Sequence, residues 1–201
     1  MSGCYLALEG VEGAGKSTVA GAVAARLRAE GREVVEVREP GGTPLGEEIR
    51  RLLLHADDMA PWAEAMLFAA QRAQLVAEVV GPALARGAWV VSDRSYYSSL
   101  AYQGDARGLG VEAVRQVNEW AVGSVVPDLV VVLDFDPDRG LARQGDVDRI
   151  GGQGPDFQRR VAAAYHRLAA AEPSRVVVVP VDADPDVLAE RIVELAEARC
   201  G

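Results

Sequence analysis

Five apolar, β-branched runs recur along the chain: CYLALE (4–9), EVVEVR (33–38), AWVVSD (88–93), DLVVVLD (128–134) and RVVVVPVD (175–182). Valine and leucine follow one another in them with little polar alternation. That pattern predicts strands buried on both faces, as in a parallel sheet. Between the runs, helical segments are predicted at 15–30, 44–54, 61–86, 110–122, 136–144, 156–171 and 184–199. Strand alternating with helix predicts right-handed βαβ crossovers, hence an α/β fold with a five-stranded parallel sheet flanked by helices. The Gly- and Asp-rich stretch RQGDVDRIGGQGPD (143–156) breaks the alternation and reads as a short lid on a single domain spanning 1–201.

Composition narrows the classes of function. The net charge is −9, which argues against broad nucleic-acid binding or attachment to an anionic membrane. No apolar run approaches the roughly 18–20 residues of a membrane span. The start, MSGCYLALEG, lacks the basic region of a signal peptide, so a cytoplasmic location is expected. Cys4 and Cys200 lie near opposite termini, and His55 and His166 are isolated. Their spacing argues against a disulfide or a built-in metal site, so any metal is expected to arrive with a ligand. Of the 21 basic residues only Lys16 is a lysine.

That lysine stands in GVEGAGKST (10–18). Gly10, Gly15, Lys16 and Ser17 satisfy G-x-x-x-x-G-K-[ST], between a predicted strand and a predicted helix. Small residues turn backbone N–H groups toward phosphates, and the helix N-terminus adds positive partial charge. The loop predicts an ATP site made of Gly10, Val11, Glu12, Gly13, Ala14, Gly15, Lys16, Ser17 and Thr18. Lys16 is expected to reach the outer phosphates, and Ser17 to offer its hydroxyl to Mg²⁺. No Asn-Lys-x-Asp guanine motif exists, since Lys16 is already spent.

A second cluster follows the other strands. REPGGT (38–43) and DRSYYSSLAYQG (93–104) place Arg38, Asp93 and Arg94 at strand carboxyl ends, where ligands gather in open parallel sheets. In LFAAQRAQL (67–75), Phe68 and Arg72 are four apart on one helix face. On spacing alone, Phe68 reads as core and Arg72 as a solvated face.

In combination, EGVEGAGKST, REPGGTPLGEEIR, EAMLFAAQRAQL, SDRSYYSSLAYQG, PDLVVVLD and DFQRRVAAAYHRLA resemble the bacterial-type thymidylate kinases, in family order over most of the chain. The resemblance implies a P-loop NTPase fold, and transfer of the γ-phosphoryl of ATP to thymidine monophosphate (dTMP) with Mg²⁺. The acceptor phosphate has a second pKa of about 6, so the reaction needs positioning and positive charge rather than a general base. By the same resemblance, Arg38, Arg50 and Arg94 hold the acceptor phosphate, Phe68 stacks on thymine and Arg72 bonds its carbonyl edge. Ser99 and Gln103 face the base, Tyr102 crowds the sugar's 2′ side, and Glu39 belongs to the acceptor site. Glu12 accepts from the acceptor's 3′-hydroxyl, which explains a carboxylate inside an anion-binding loop.

Asp93 is expected to bias Mg²⁺ directly or through water, and Glu9 to brace neighbouring loops. Glu39 precedes Pro40, so that bond is a candidate cis peptide. The interior of the loop, Gly13-Ala14, carries no arginine. The resemblance therefore implies that the lid supplies one, Arg143 or Arg149, with Arg149 the better match. Lys16, Arg94, Asp93 and the lid arginine form the expected catalytic set. Three positions depart from the family pattern: Ser95 follows Asp93-Arg94 where Tyr is usual, Gln71 stands before Arg72 in place of Asp, and Gly151 replaces an acid. The resemblance also implies a homodimer. Another P-loop nucleoside monophosphate kinase, a deoxynucleoside kinase, or a non-catalytic nucleotide-binding regulator are the competing expectations.

Overall fold

The computed structural model describes residues 3–143 and 148–200. Its centre is a five-stranded, fully parallel sheet: β1 (Tyr5–Glu9), β2 (Val34–Arg38), β3 (Trp89–Asp93), β4 (Leu129–Asp134) and β5 (Val176–Pro180), in the order β2-β3-β1-β4-β5. β1 lies in the middle, with Leu6 registered against Val91 on one side and Leu129 on the other. The apolar runs of β1, β3 and β4 are buried throughout nearly their whole length. The edge strands β2 and β5 are only half-buried, which corrects the expectation that every run is covered on both faces. An edge strand has one neighbour, and its outer residues meet solvent or a single helix.

Helices cover the sheet: α1 (Lys16–Ala29), α2 (Pro44–His55), α3 (Pro61–Leu75), α4 (Gly81–Ala85), α5 (Tyr96–Ser99), α6 (Val111–Val122), α7 (Pro137–Ala142), α8 (Pro155–Ala171) and α9 (Pro185–Cys200). A π-helical turn at Val76–Val80 joins α3 to α4, so the predicted helix 61–86 exists with a bulge in it. The sequence pattern predicts no helix between β3 and α6, yet α5 runs on through a π-helical stretch at Leu100–Ala106. Ser95 starts it by accepting the Tyr97 N–H on its side chain. This helix is buried nearly all round, so it has no polar face and no amphipathic period to detect.

One local candidate is met and one expectation changes. Glu39–Pro40 is cis. Cys4 and Cys200 form a disulfide, with Cα atoms 5.8 Å apart, contrary to the reading from their sequence separation. α9 packs along α1 and runs back against the strand direction. Its end therefore arrives where β1 begins, and the distance along the chain says nothing about the distance in space.

Candidate active site

The carboxyl ends of β1, β2 and β3 open into a cavity of about 440 Å³. Glu12, Gly13, Gly15, Lys16, Ser17 and Thr18 line one side, from the loop between β1 and α1. The loop is held by backbone that only glycine adopts easily, with φ of 142° at Gly10, 71° at Gly13 and 86° at Gly15. It is also held by close approach. A Cβ on Gly13 would lie 2.2 Å from the carbonyl oxygen of Gly140 in α7, and one on Gly140 would lie 2.2 Å from that of Glu12. Val11 and Ala14 are buried beneath the loop.

Lys16 is buried, and its Nζ donates to the Val11 carbonyl at 2.7 Å. Burial, with Arg94 nearby, lowers its pKa to about 8 against the opposing pull of Glu12 and Asp93. Ser17 Oγ hydrogen-bonds Asp93 Oδ2. A hydroxyl and a carboxylate side by side at the foot of a phosphate loop are the hard oxygen donors that Mg²⁺ prefers, so these residues fit that ion.

Across the cavity stand Arg38, Arg50 and Arg94. Arg38 is exposed and donates to both oxygens of Glu47, at 2.9 and 3.0 Å. Arg50 donates to the Pro40 carbonyl at 2.7 Å. Burial and the neighbouring Arg38 push its pKa down, against the opposing pull of Glu47, Asp148 and Asp93. Arg94, the one non-glycine residue at positive φ (76°) among those described, forms an ion pair with Glu12 and lies 5.3 Å from the Tyr102 ring centre. Burial alone would raise the Glu12 pKa, but Arg94 and Lys16 outweigh it and hold the carboxyl below its usual range. Tyr102 Oη adds a hydrogen bond to Glu12 at 3.3 Å.

The far wall is less charged: Phe68, Leu54, Pro40, Ser98, Gln103 and Ile150, with Arg143 and Asp148 from the lid. Most of the expected site residues thus meet in one cavity. Gly10, Val11 and Ala14 of the loop do not line it, and neither do Arg72 and Ser99. Arg72 is fully enclosed, with Nε on Glu39, its remaining nitrogens on Ser99, Asn118 and the Ser95 carbonyl. It is neither a solvated face nor a group open to the cavity, and it braces the wall from behind. Burial raises the Glu39 carboxyl pKa, with Arg72 partly compensating. Gln71 links the same carboxylate to the Gly41 N–H, at 3.3 and 3.1 Å.

Of the lid, residues 144–147 lie outside the described residues. Arg143 reaches the cavity, its guanidinium 4.3 Å from the Phe135 ring centre. Arg149 stands away from it, donating to Glu64 at 2.6 Å and to the Leu53 carbonyl at 3.0 Å. Glu9 is wholly buried and accepts from Ser95, Ser98 and Tyr165, so it braces the segment after β3. Ser95 and Ser98 carry those bonds, a use of Ser in place of the family's Tyr that the motif alone did not suggest. Sequence reasoning also missed the roles of Asn118, Glu64 and Gly140, since each acts through tertiary contacts.

Comparison with known proteins agrees with this geometry. The thymidylate kinase family model matches residues 8–192. A thymidylate kinase of Synechococcus sp. (strain JA-2-3B'a(2-13)) is 46% identical over 195 residues, covering 97% of this chain and 95% of its own. One of Bifidobacterium longum (strain DJO10A) is 49% identical over 185 residues, covering 89% and 90%. The crystal structure of thymidylate kinase from Ehrlichia chaffeensis superposes with a TM-score of 0.82 at 26% identity, covering 97% of this chain and 99% of that one.

Proposed function

The chain belongs to the thymidylate kinase family, and from that premise we propose that it phosphorylates dTMP to dTDP with ATP. One observation carries the assignment of roles: a phosphate loop and three arginines face each other across a cavity whose remaining wall holds an aromatic ring. An oxygen of the dianionic acceptor phosphate attacks the γ-phosphorus of ATP. The bond from that phosphorus to the β–γ bridging oxygen breaks, and ADP leaves. No proton has to be removed from the acceptor.

The loop from Gly10 to Thr18 cradles the donor phosphates, and Lys16 places its ammonium on the outer ones. Arg38, Arg50 and Arg94 form the acceptor-phosphate clamp, where bidentate forks fix orientation as well as charge. Glu12 takes the acceptor's 3′-hydroxyl. Phe68 stacks on the base, Gln103 faces its edge, and Tyr102 crowds the 2′ side of the sugar. Glu39 borders the acceptor side of the cavity, and Arg72 and Ser99 support that wall from behind. Arg143 is the better placed lid arginine for the transferred group, because it borders the cavity while Arg149 is tied to Glu64. Ser17 and Asp93 would hold Mg²⁺, which when bound offsets charge on the β- and γ-phosphates.

The wider reading is one domain with a lid at about 143–156, acting in the cytoplasm as a homodimer on free nucleotides. Among the described residues no helix is long and apolar enough to cross a membrane. Exposed apolar side chains on α2, α3 and α6, among them Leu45, Leu52, Met66 and Trp120, supply surface for a second copy. ADP release from Mg-ATP across a panel of nucleoside and deoxynucleoside monophosphates tests the reaction. Turnover with dTMP is expected. Turnover confined to purine acceptors would point to another monophosphate kinase, and none at all to a nucleotide-binding regulator.

A further inference from the structure

Glu64 lies in the first turn of α3, four residues before Phe68, and is wholly buried. Its Oε1 accepts from Gln103 Nε2 at 2.8 Å and Arg107 Nε at 2.7 Å. Its Oε2 accepts from Arg107 at 2.9 Å and Arg149 at 2.6 Å. All four contacts come from N–H donors, so in this arrangement the carboxylate only accepts hydrogen bonds. The Gln103 amide must therefore turn its nitrogen toward Glu64, and its oxygen away.

Gln103 lines the cavity, and among the described residues no donor reaches its Oε1. We infer that Glu64 is a positioning residue: it fixes the Gln103 amide so that the atom offered to the acceptor base is an oxygen. An amide oxygen matches a ring N–H, the donor of a thymine or uracil imide. It repels the bare ring nitrogen of cytosine, where two acceptors would meet without a proton between them. Glu64 thereby sets base selection through Gln103, without touching the substrate. The inference rests on the dTMP reading, which the wild-type rate in the same assay tests separately.

Glu64→Gln keeps the shape but replaces the acceptor-only group with an amide that presents either a donor or an acceptor. The Gln103 amide is then free to turn over. The measurement is kcat/KM for dTMP and for 5-methyl-dCMP, which differ only in the 4-substituent and the ring N–H. At least a tenfold loss of preference for dTMP is expected, arising mainly in the acceptor KM, with the KM for ATP unchanged. Arg107→Gln removes the bidentate partner of Glu64 and leaves the Gln103 contact. It should lower Tm and keep the preference, which separates orientation from mere support. A folded Glu64→Gln protein with the wild-type preference would overturn the inference. Should that variant fail to fold, a high-resolution wild-type complex with dTMP decides: Gln103 Oε1 within hydrogen-bond distance of the thymine N–H is expected, with Nε2 still on Glu64. A broken Glu64–Gln103 bond, or Nε2 facing the base, would overturn it.

Discussion

Glu12 and Arg94 pair across the cavity, an acid from the phosphate loop held by the arginine that follows β3, with side chains 25% and 15% exposed. Arg94 is thus kept in place before any ligand arrives, and the Gly10 carbonyl and Ser98 hydroxyl hold its other nitrogen at 3.3 Å each. A phosphate entering the cavity meets a guanidinium that has little orientational freedom left to lose.

Arg94→Lys should therefore cost far more than a change of one cation for another. A lysine keeps the charge but has neither the planar fork nor the reach to bind Glu12, Gly10 and a phosphate together. A fall in kcat/KM for dTMP of about 10²-fold or more is expected, by analogy with loss of one preorganised donor. Steady-state kinetics at saturating ATP check it, and a loss below threefold would contradict the clamp.

Lys16 makes ATP binding pH-dependent. Its pKa of about 8 means that the free protein carries the ammonium below that pH and a neutral amine above it. Donor phosphates favour the charged form, so above about pH 8 binding must take up a proton. Affinity for ATP should be flat from pH 6.5 to 7.5 and then weaken, by up to about tenfold per pH unit. Calorimetry in buffers of different ionisation enthalpy should show proton uptake above pH 8. A flat profile to pH 9.5 would show that Lys16 keeps its proton throughout.

The two lid arginines should separate cleanly. Arg143→Ala is expected to lower kcat by about 10²–10³-fold with modest change in either KM, since lid charge acts on the transferring group. Arg149→Ala leaves Glu64 with Arg107 as its remaining cation. A loss of about 2 kcal/mol is expected, below the ~3–5 kcal/mol of a buried charge left alone. At this chain length that is a fall in Tm of about 4–8 °C. Parallel turnover and thermal melts test both. A kcat loss confined to Arg149→Ala would reassign the transfer role.

Much of this was legible in the sequence where chemistry depends on local spacing. The strand runs, and the placing of the Lys16 loop and of the segments after β2 and β3 at one cavity, were legible because buried parallel strands and phosphate loops impose short-range patterns. The helix at Tyr96–Ala106 was not, since burial on all sides erases its period. The solvated face that spacing alone gives Arg72 fails for the same reason. A guanidinium can be enclosed when Glu39, Asn118 and Ser99 satisfy it, and those partners are 33, 46 and 27 residues away. The roles of Glu64 and Gly140 are silent in the sequence, because one needs partners from two other segments and the other only an absence of Cβ.

The Cys4–Cys200 disulfide is the remaining case where sequence distance misled, and it makes a measurable claim about stability. It closes a loop of nearly the whole chain, with a sequence separation of 196. Such a cross-link removes a large part of the unfolded chain's freedom while tying α9 to the start of β1, the strand that feeds the phosphate loop. Its contribution should be about 2–5 kcal/mol. Cys200→Ser, or reduction with a dithiol, should lower Tm by about 5–15 °C. The cavity lies at the other end of the strands, so kcat should stay within about twofold of wild type. Thiol titration under denaturing conditions before and after reduction, paired with thermal melts, is the check. Two free thiols in the untreated protein, or equal Tm for oxidised and reduced forms, would remove the clasp from the account of this fold's stability.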